Sequence, residues 1–233
     1  MNAVNADDLP AWLAPVAQLA EQGDADVFAD WPTPDDGSAT PASVLILFGH
    51  DGGARGPDVL LLERAHDMRS HAGQVAFPGG RRDDTDADDV DTALREAAEE
   101  TGLDPSGVVV LGALRSIWLP PTNFQVTPVL AWWRVPSAVH AVDPAETAAV
   151  VRVSTADLVD PSNRAMVLHP SGHIGPAFLV HDLVVWGFTA GLLARVLSGV
   201  GWDRPWDESR VVELPEGVVA SSLRDMRRAG YLQ

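Results

Sequence analysis

Glu96, Glu99 and Glu100 fall at positions i, i+3 and i+4, so on a helix turning about 100° per residue their carboxylates share one face. Like charges at this spacing repel by roughly 0.2–0.5 kcal/mol per pair in an isolated helix. A positive partner is needed to offset them. Hard divalent cations such as Mg²⁺ take oxygen ligands and attach phosphate-bearing substrates through one or two carboxylates; a solvated acidic helix face is the other use of the same pattern. Val90, Ala93, Leu94 and Ala97 lie towards the opposite side of that helix and offer an apolar face to a sheet. Six aspartates between positions 83 and 91 precede or begin the helix, where they suit the positive end of its dipole.

The elements that must position these carboxylates follow from periodicity and punctuation. Residues 89–101 read as the acidic helix, with Gly102 as a left-handed stop and Pro105 beyond it. Residues 44–48 and 59–64 are β-type runs separated by a glycine-containing loop suited to a hairpin, and residues 74–77 form a short extended run ended by Pro78-Gly79-Gly80. Residues 108–114, 127–135 and 148–153 supply further strands. Residues 183–197 read as a second long helix whose Trp186, Phe188, Leu192, Leu193 and Val196 serve either the core or a homodimer contact. Helical spacing over residues 9–22 predicts an N-terminal helix, followed by a polar tether at 24–41. The pattern is mixed α and β, without the regular alternation of a doubly wound sheet.

Composition removes several classes of function. The 233 residues carry 33 acidic and 16 basic side chains, a formal net charge of -17, and every basic residue is Arg. Such a chain repels nucleic-acid phosphates, so an anionic small molecule would need local cations to bring it in. The absence of cysteine removes disulfides, thiolate metal sites and thiol nucleophiles and makes a cytoplasmic location the default. No apolar run reaches the ~18–20 residues of a membrane span, and no basic segment precedes an apolar run at the N-terminus. The expectation is a mature protein without membrane or nucleic-acid partners.

Two motifs carry a resemblance. Arg95-Glu96-Ala97-Ala98-Glu99-Glu100-Thr101-Gly102-Leu103 matches the REUXEEXGU end of the Nudix signature, and the chain resembles a Nudix hydrolase. The earlier end of the signature departs from the pattern. Gly80 lies one residue too far upstream of Arg95, the lone Glu position holds Ala87, and Asp86 is the acid that could serve instead. Upstream, Leu60-Leu61-Leu62-Glu63-Arg64-Ala65, Arg69, Gly73 and Phe77-Pro78-Gly79-Gly80 resemble the LLTXR(S/A)X3RX3GX3FPGG element of coenzyme A pyrophosphatases, with Leu62 in place of Thr.

The resemblance implies an α/β fold, a Nudix α/β/α sandwich with a mixed sheet and an additional N-terminal helix. It divides the chain into a helix and tether at 1–41, a Nudix domain at 42–200 and a C-terminal extension packed on it at 201–233. It implies that Glu96, Glu99 and Glu100, with the Gly80 carbonyl, gather Mg²⁺ or Mn²⁺, and that Arg95 orients a carboxylate. Glu99 is the nominal general base and Glu146 the outside candidate. Arg64 and Arg69 pair either with substrate phosphates or with nearby carboxylates, and Arg81 and Arg82 could serve similarly. Gly79 permits close backbone approach, and Phe124 either stacks on adenine or packs in the fold. His169 and His173 sit around Pro170 and Gly172 and read as loop residues rather than zinc ligands. The expected substrate is coenzyme A or an acyl derivative. The alternatives are ADP-ribose, NADH or another nucleoside diphosphate derivative, or a non-hydrolytic nucleotide-binding regulator on the same fold.

Overall fold

The structure is a computed structural model and describes residues 9–22, 37–50, 52–53, 56–68, 70–169, 172–228 and 230. In chain order its elements are α1 (Ala14–Gln22), β1 (Thr40–Gly49), β2 (Asp58–Arg64), β3 (Val75–Ala76), β4 (Gly79–Arg81), α2 (Asp89–Thr101), β5 (Val108–Ala113), β6 (Ile117–Leu119) and β7 (Phe124–Trp133). These are followed by β8 (Thr147–Ser154), α3 (Thr155–Leu158), β9 (Arg164–Leu168), β10 (Ile174–Val180), β11 (Leu183–Val185), α4 (Gly187–Gly199), β12 (Val211–Val212) and α5 (Glu216–Arg228). None of the described helices is long and apolar enough to cross a membrane.

β1 is the axis of the larger sheet. One edge runs parallel to β7, from Thr40 opposite Phe124 to Phe48 opposite Trp132. The other edge is shared: Phe48 and Gly49 pair with Val59 and Asp58 of β2, whereas Ala42, Ser43 and Val44 pair with Arg81, Gly80 and Gly79 of β4. β1 and β2 therefore diverge, and the wedge between them is filled by β3 pairing with β2 and by β4 pairing with β1. This inserts Gly79 and Gly80 into the sheet where α2 crosses it.

Strand alternation divides the core between two faces. Leu45, Leu47, Leu60, Val129 and Ala131 form one cluster with Ala93 and Ala97 of α2. Ile46, Phe48, Leu61 and Leu130 form the other, with Val16 and Leu19 of α1 and Leu192, Leu193, Val196 and Leu197 of α4. Helices thus cover both faces of a mixed sheet. α2 has the expected boundaries because both ends are chemically specified. Asp88 caps it by accepting from the Val90 and Asp91 amides, and Gly102 ends it at φ 68°, where an added Cβ would meet the His140 ring at 2.9 Å.

Besides the unforeseen elements β4, β6, α3 and α5, two larger features differ from the sequence reading. The first is a second sheet, ordered β11-β10-β9-β12. The second concerns residues 183–197, where the helix begins only at Gly187. Leu183, Val184 and Val185 instead pair with Val180, Leu179 and Phe178 of β10. A short β-branched apolar run gives no periodicity to distinguish strand from helix, and strand pairing decides it. The apolar residues of α4 pack into the core. Leu193 is fully buried, so Leu193→Ala is expected to lower unfolding stability by about 2–5 kcal/mol, measured by urea denaturation. A loss below about 1 kcal/mol would show the position to be peripheral.

Candidate active site

Where α2 crosses β4, the Glu96 side chain lies against the Gly80 backbone, while Gly79 lies against the β1 backbone on its other side. A Cβ on Gly80 would lie 2.6 Å from the Glu96 carboxyl carbon, and one on Gly79 would collide with the Ser43 carbonyl oxygen. Only glycines allow this approach. The Gly79 amide donates to Glu100 Oε2 at 2.9 Å, and Arg64, at the end of β2, brings Nη1 to 3.7 Å from Glu100 Oε1. The two sequence motifs therefore meet at Glu100.

Arg95 organises the rest. Its Nε and Nη2 donate to Asp86 Oδ1 and Oδ2 at 2.8 and 2.9 Å, and Nη1 donates to Glu96 Oε1 at 3.0 Å and Glu99 Oε2 at 2.9 Å. Nη2 also donates to the Arg81 carbonyl at 3.0 Å. Asp86, with its side chain 4% exposed, further accepts from the Asp83 amide and the Thr92 hydroxyl. The Arg95 hydrogen bonds hold the Asp86 carboxyl well below the usual carboxylate range. Ala87 places no acid here; its carbonyl accepts from Arg82 Nη2.

Comparison with known proteins places this arrangement. A family model described as NUDIX domain matches residues 39–169, more than half of the chain. The chain belongs to the Nudix family. It is similar to an uncharacterized Nudix hydrolase NudL of Cronobacter sakazakii, 39% identical over 62% of this chain and 76% of that protein. It is also similar to the mitochondrial Nudix hydrolase 15 of Arabidopsis thaliana, 36% identical over 70% of this chain and 59% of that one. A crystal structure of a Nudix hydrolase from M. Smegmatis, RenU, aligns over 70% of this chain and 86% of its own at 23% identity with a TM-score of 0.46. As a Nudix hydrolase, this protein is a pyrophosphohydrolase of nucleoside diphosphate derivatives, and such enzymes generally use divalent ions such as Mg²⁺ or Mn²⁺.

In this Nudix hydrolase the three helix glutamates share a neighbourhood without converging. Among the described residues no group of three His, Cys, Asp or Glu side chains is already drawn together as a metal-ion cage. The reason is visible in the hydrogen bonds: Arg95 draws Glu99 towards itself, the Gly79 amide takes Glu100, and Glu96 lies between them. Burial pushes the Glu96 carboxyl above its ordinary value against the pull of Arg95. Burial likewise pushes Glu100 up, to about 7, opposed by the Gly79 amide and Arg64 and reinforced by Glu96 and Glu146. Two adjacent desolvated carboxylates with too few cations are chemically suited to a divalent ion. That donor set fits the metals of the family.

The remaining candidates are more scattered. Arg69 lies outside the described residues. Phe124 opens β7, half-buried and paired with Thr40 and Leu119, and has no described contact with the glutamates. Arg82 pairs with Asp89 at 3.7 Å, while the Arg81 backbone serves Arg95. Exposed Glu146 accepts the Ala65 amide through its carbonyl and is close enough to act on Glu100. His169 stacks on Trp186 beside the β9–β10 turn. A cavity of about 590 Å³ between α4 and the second sheet holds none of the α2 glutamates, and its Arg164 is engaged by Asp203 and two aromatic rings. Sequence reasoning missed Ser221 and Asp225 of α5, which bond to the backbone of the segment after Arg64; no local motif marks them.

The raised Glu100 carboxyl has a consequence for stability. Its folded value is about 7 against an ordinary 4.5, so between these values the native state binds more protons than the unfolded chain. Its contribution to stability is full below 4.5 and is lost as pH rises through about 7. In chelator-treated protein, Glu100→Gln is expected to raise unfolding stability at pH 8 by on the order of 2 kcal/mol, with the gain vanishing near pH 4.5. Thermal melts at both pH values check this, and a gain independent of pH would contradict it.

Proposed function

We propose that this Nudix hydrolase cleaves the diphosphate linkage of coenzyme A or an acyl-coenzyme A, giving 3′,5′-ADP and (acyl-)4′-phosphopantetheine. The observation that carries the reading is the meeting of Arg64, from the coenzyme A pyrophosphatase-like element, with Glu100 of the Nudix helix. A guanidinium beside the carboxylates supplies the positive charge that a strongly acidic chain needs to admit a diphosphate.

Glu96, Glu99 and Glu100, with the Gly80 carbonyl, would hold Mg²⁺ or Mn²⁺. When bound, the ion neutralises phosphoryl charge and lowers the pKa of a coordinated water. Arg64 orients the diphosphate through its forked donors, and Phe124 offers a ring to the adenine. Glu99 takes a proton from the attacking water, because only one of its oxygens is engaged by Arg95 and its side chain is 59% exposed; Glu146 is the second candidate for that role. Water oxygen bonds to one phosphorus, the bridging P–O bond breaks, and the departing phosphate retains the electron pair. Arg95 aims Glu96 and Glu99 through the hydrogen bonds from its Nη1, and Asp86 fixes Arg95 in turn.

Product analysis with purified protein and either metal tests the assignment. The expected products are 3′,5′-ADP and 4′-phosphopantetheine, with kcat/KM higher for coenzyme A than for dephospho-coenzyme A or ADP-ribose; a preference for ADP-ribose would move the activity to the alternative substrate class. Chelation is expected to abolish turnover. Glu100→Gln should reduce kcat on the order of 100-fold with the fold retained, whereas Arg64→Ala should raise KM on the order of 10-fold through lost charge-assisted bonds. Near-normal kinetics in either variant would remove that residue from its role.

A further inference from the structure

The segment between β2 and β3 is closed on Arg64 itself. The Arg64 amide donates to the Gln74 carbonyl at 2.9 Å, and the Arg64 carbonyl accepts from the Gly73 amide at 3.2 Å. Both backbone groups of the residue that reaches Glu100 are therefore fixed by the far end of the same segment. The ladder is irregular at this point, because the register between β2 and β8 shifts between Glu63 and Arg64. The position of Arg64 is set less by the regular sheet than by the shape of residues 70–74, which return to it.

That shape is one the segment would not adopt alone. His71 has φ 54°, a left-handed conformation unfavourable for a residue with a Cβ, and Gly73 follows at φ 67° under the His66 ring. Two amides at this bend point away from the segment, towards α5. The His71 amide donates to Asp225 Oδ2 at 3.0 Å, and the Ala72 amide donates to the Ser221 hydroxyl at 3.1 Å in a buried contact. Ser221 is 1% exposed, so an unpaired Ala72 amide could not be satisfied by water without opening the junction. Ser221 and Asp225 are four residues apart and present both acceptors from one side of the helix. Val218 and Val219 pack α5 against the second sheet with Leu214, giving the acceptors a rigid base.

We infer that Ser221 and Asp225 of α5 are positioning residues for the diphosphate site, holding the bend at His71 and Ala72 so that Arg64 is aimed at the substrate beside Glu100. Both residues lie beyond the part of the chain matched by the family model. The inference rests on the diphosphate-binding role proposed above for Arg64. Loss of either acceptor lets the bend relax towards ordinary backbone angles. The tie at Gln74 and Gly73 carries that movement to Arg64, while Glu96, Glu99 and their Arg95 anchor are unaffected.

The test is a double-mutant cycle in the full chain with saturating Mg²⁺ and the best diphosphate substrate of the comparison above. Asp225→Ala is expected to raise KM about 5-fold with kcat within 2-fold. Asp225→Asn, which keeps an acceptor oxygen, should restore most of the lost affinity. In an Arg64→Ala background, Asp225→Ala should change KM less than 2-fold, because the group it positions is gone. Equal effects in both backgrounds, or unchanged KM in Asp225→Ala when Arg64→Ala is impaired, would overturn the inference alone. An Arg64→Ala enzyme with normal KM would overturn the proposed role of Arg64 and this inference with it. Ser221→Ala run through the same cycle, with circular dichroism on every variant, decides the matter if Asp225→Ala fails to fold; additive behaviour there also overturns it.

Discussion

The acidic face of α2 can exist beside the sheet because one guanidinium is shared among its carboxylates. Arg95 bonds Asp86, Glu96, Glu99 and the Arg81 carbonyl at once. Its planar fork supplies five N–H donors in fixed directions, which a lysine ammonium cannot reproduce. Through these bonds the turn after β4 is tied to the helix, and the helix is held over Gly79 and Gly80. A second tie works at the helix start, where Thr127 of β7 donates its hydroxyl to Asp89 at 3.0 Å. Strand, turn and helix are thereby fixed relative to one another by polar contacts at the edge of a core that apolar packing alone would leave free to slide.

The carboxylates around this hub have opposite electrostatic fates. Asp86 is fully compensated, its acidity strengthened by Arg95, and it acts as structure. Glu96 and Glu100 are buried with less compensation, and both are weakened as acids. Proton affinity raised by burial beside an arginine is the condition under which a cation and an anionic substrate gain most from entering together. Residues of one chemical type, a few positions apart, are thus divided between holding the fold and meeting the ligand by what surrounds them.

α2 was legible in the sequence because its signals are local. Asp88 caps it, Gly102 ends it, and the acids and alanines alternate at helical spacing. The place of Asp86 was legible only as an alternative to Ala87, since the signature fixes the first acid by counting and the turn after Gly80 is one residue longer. The divergence of β1 and β2 was not readable. Gly79 to Arg81 carry no strand propensity and pair with Ala42 to Val44 only because β2 has moved away. α5 was missed for a related reason: its composition is predominantly polar, so no apolar run announces it, and its contacts to His71 and Ala72 lie about 150 residues away in sequence. The family could be named from residues 60–103, but the segment that completes the neighbourhood of Arg64 has no motif of its own.

The parallel pairing of β1 with β7 bears on how the chain matures. Thr40 must wait for Phe124 before the central ladder can close, so most of the sheet depends on contacts distant along the chain, which slows assembly relative to a protein built from neighbouring hairpins. During synthesis from the N-terminus, β1 and β2 leave the ribosome long before their partners β7 and β8. The bend at His71 and Ala72 waits longer still, since Ser221 and Asp225 emerge about 150 residues after it. A nascent chain can therefore carry a formed α2 and its cluster of acids while the arginine beside it is still unanchored.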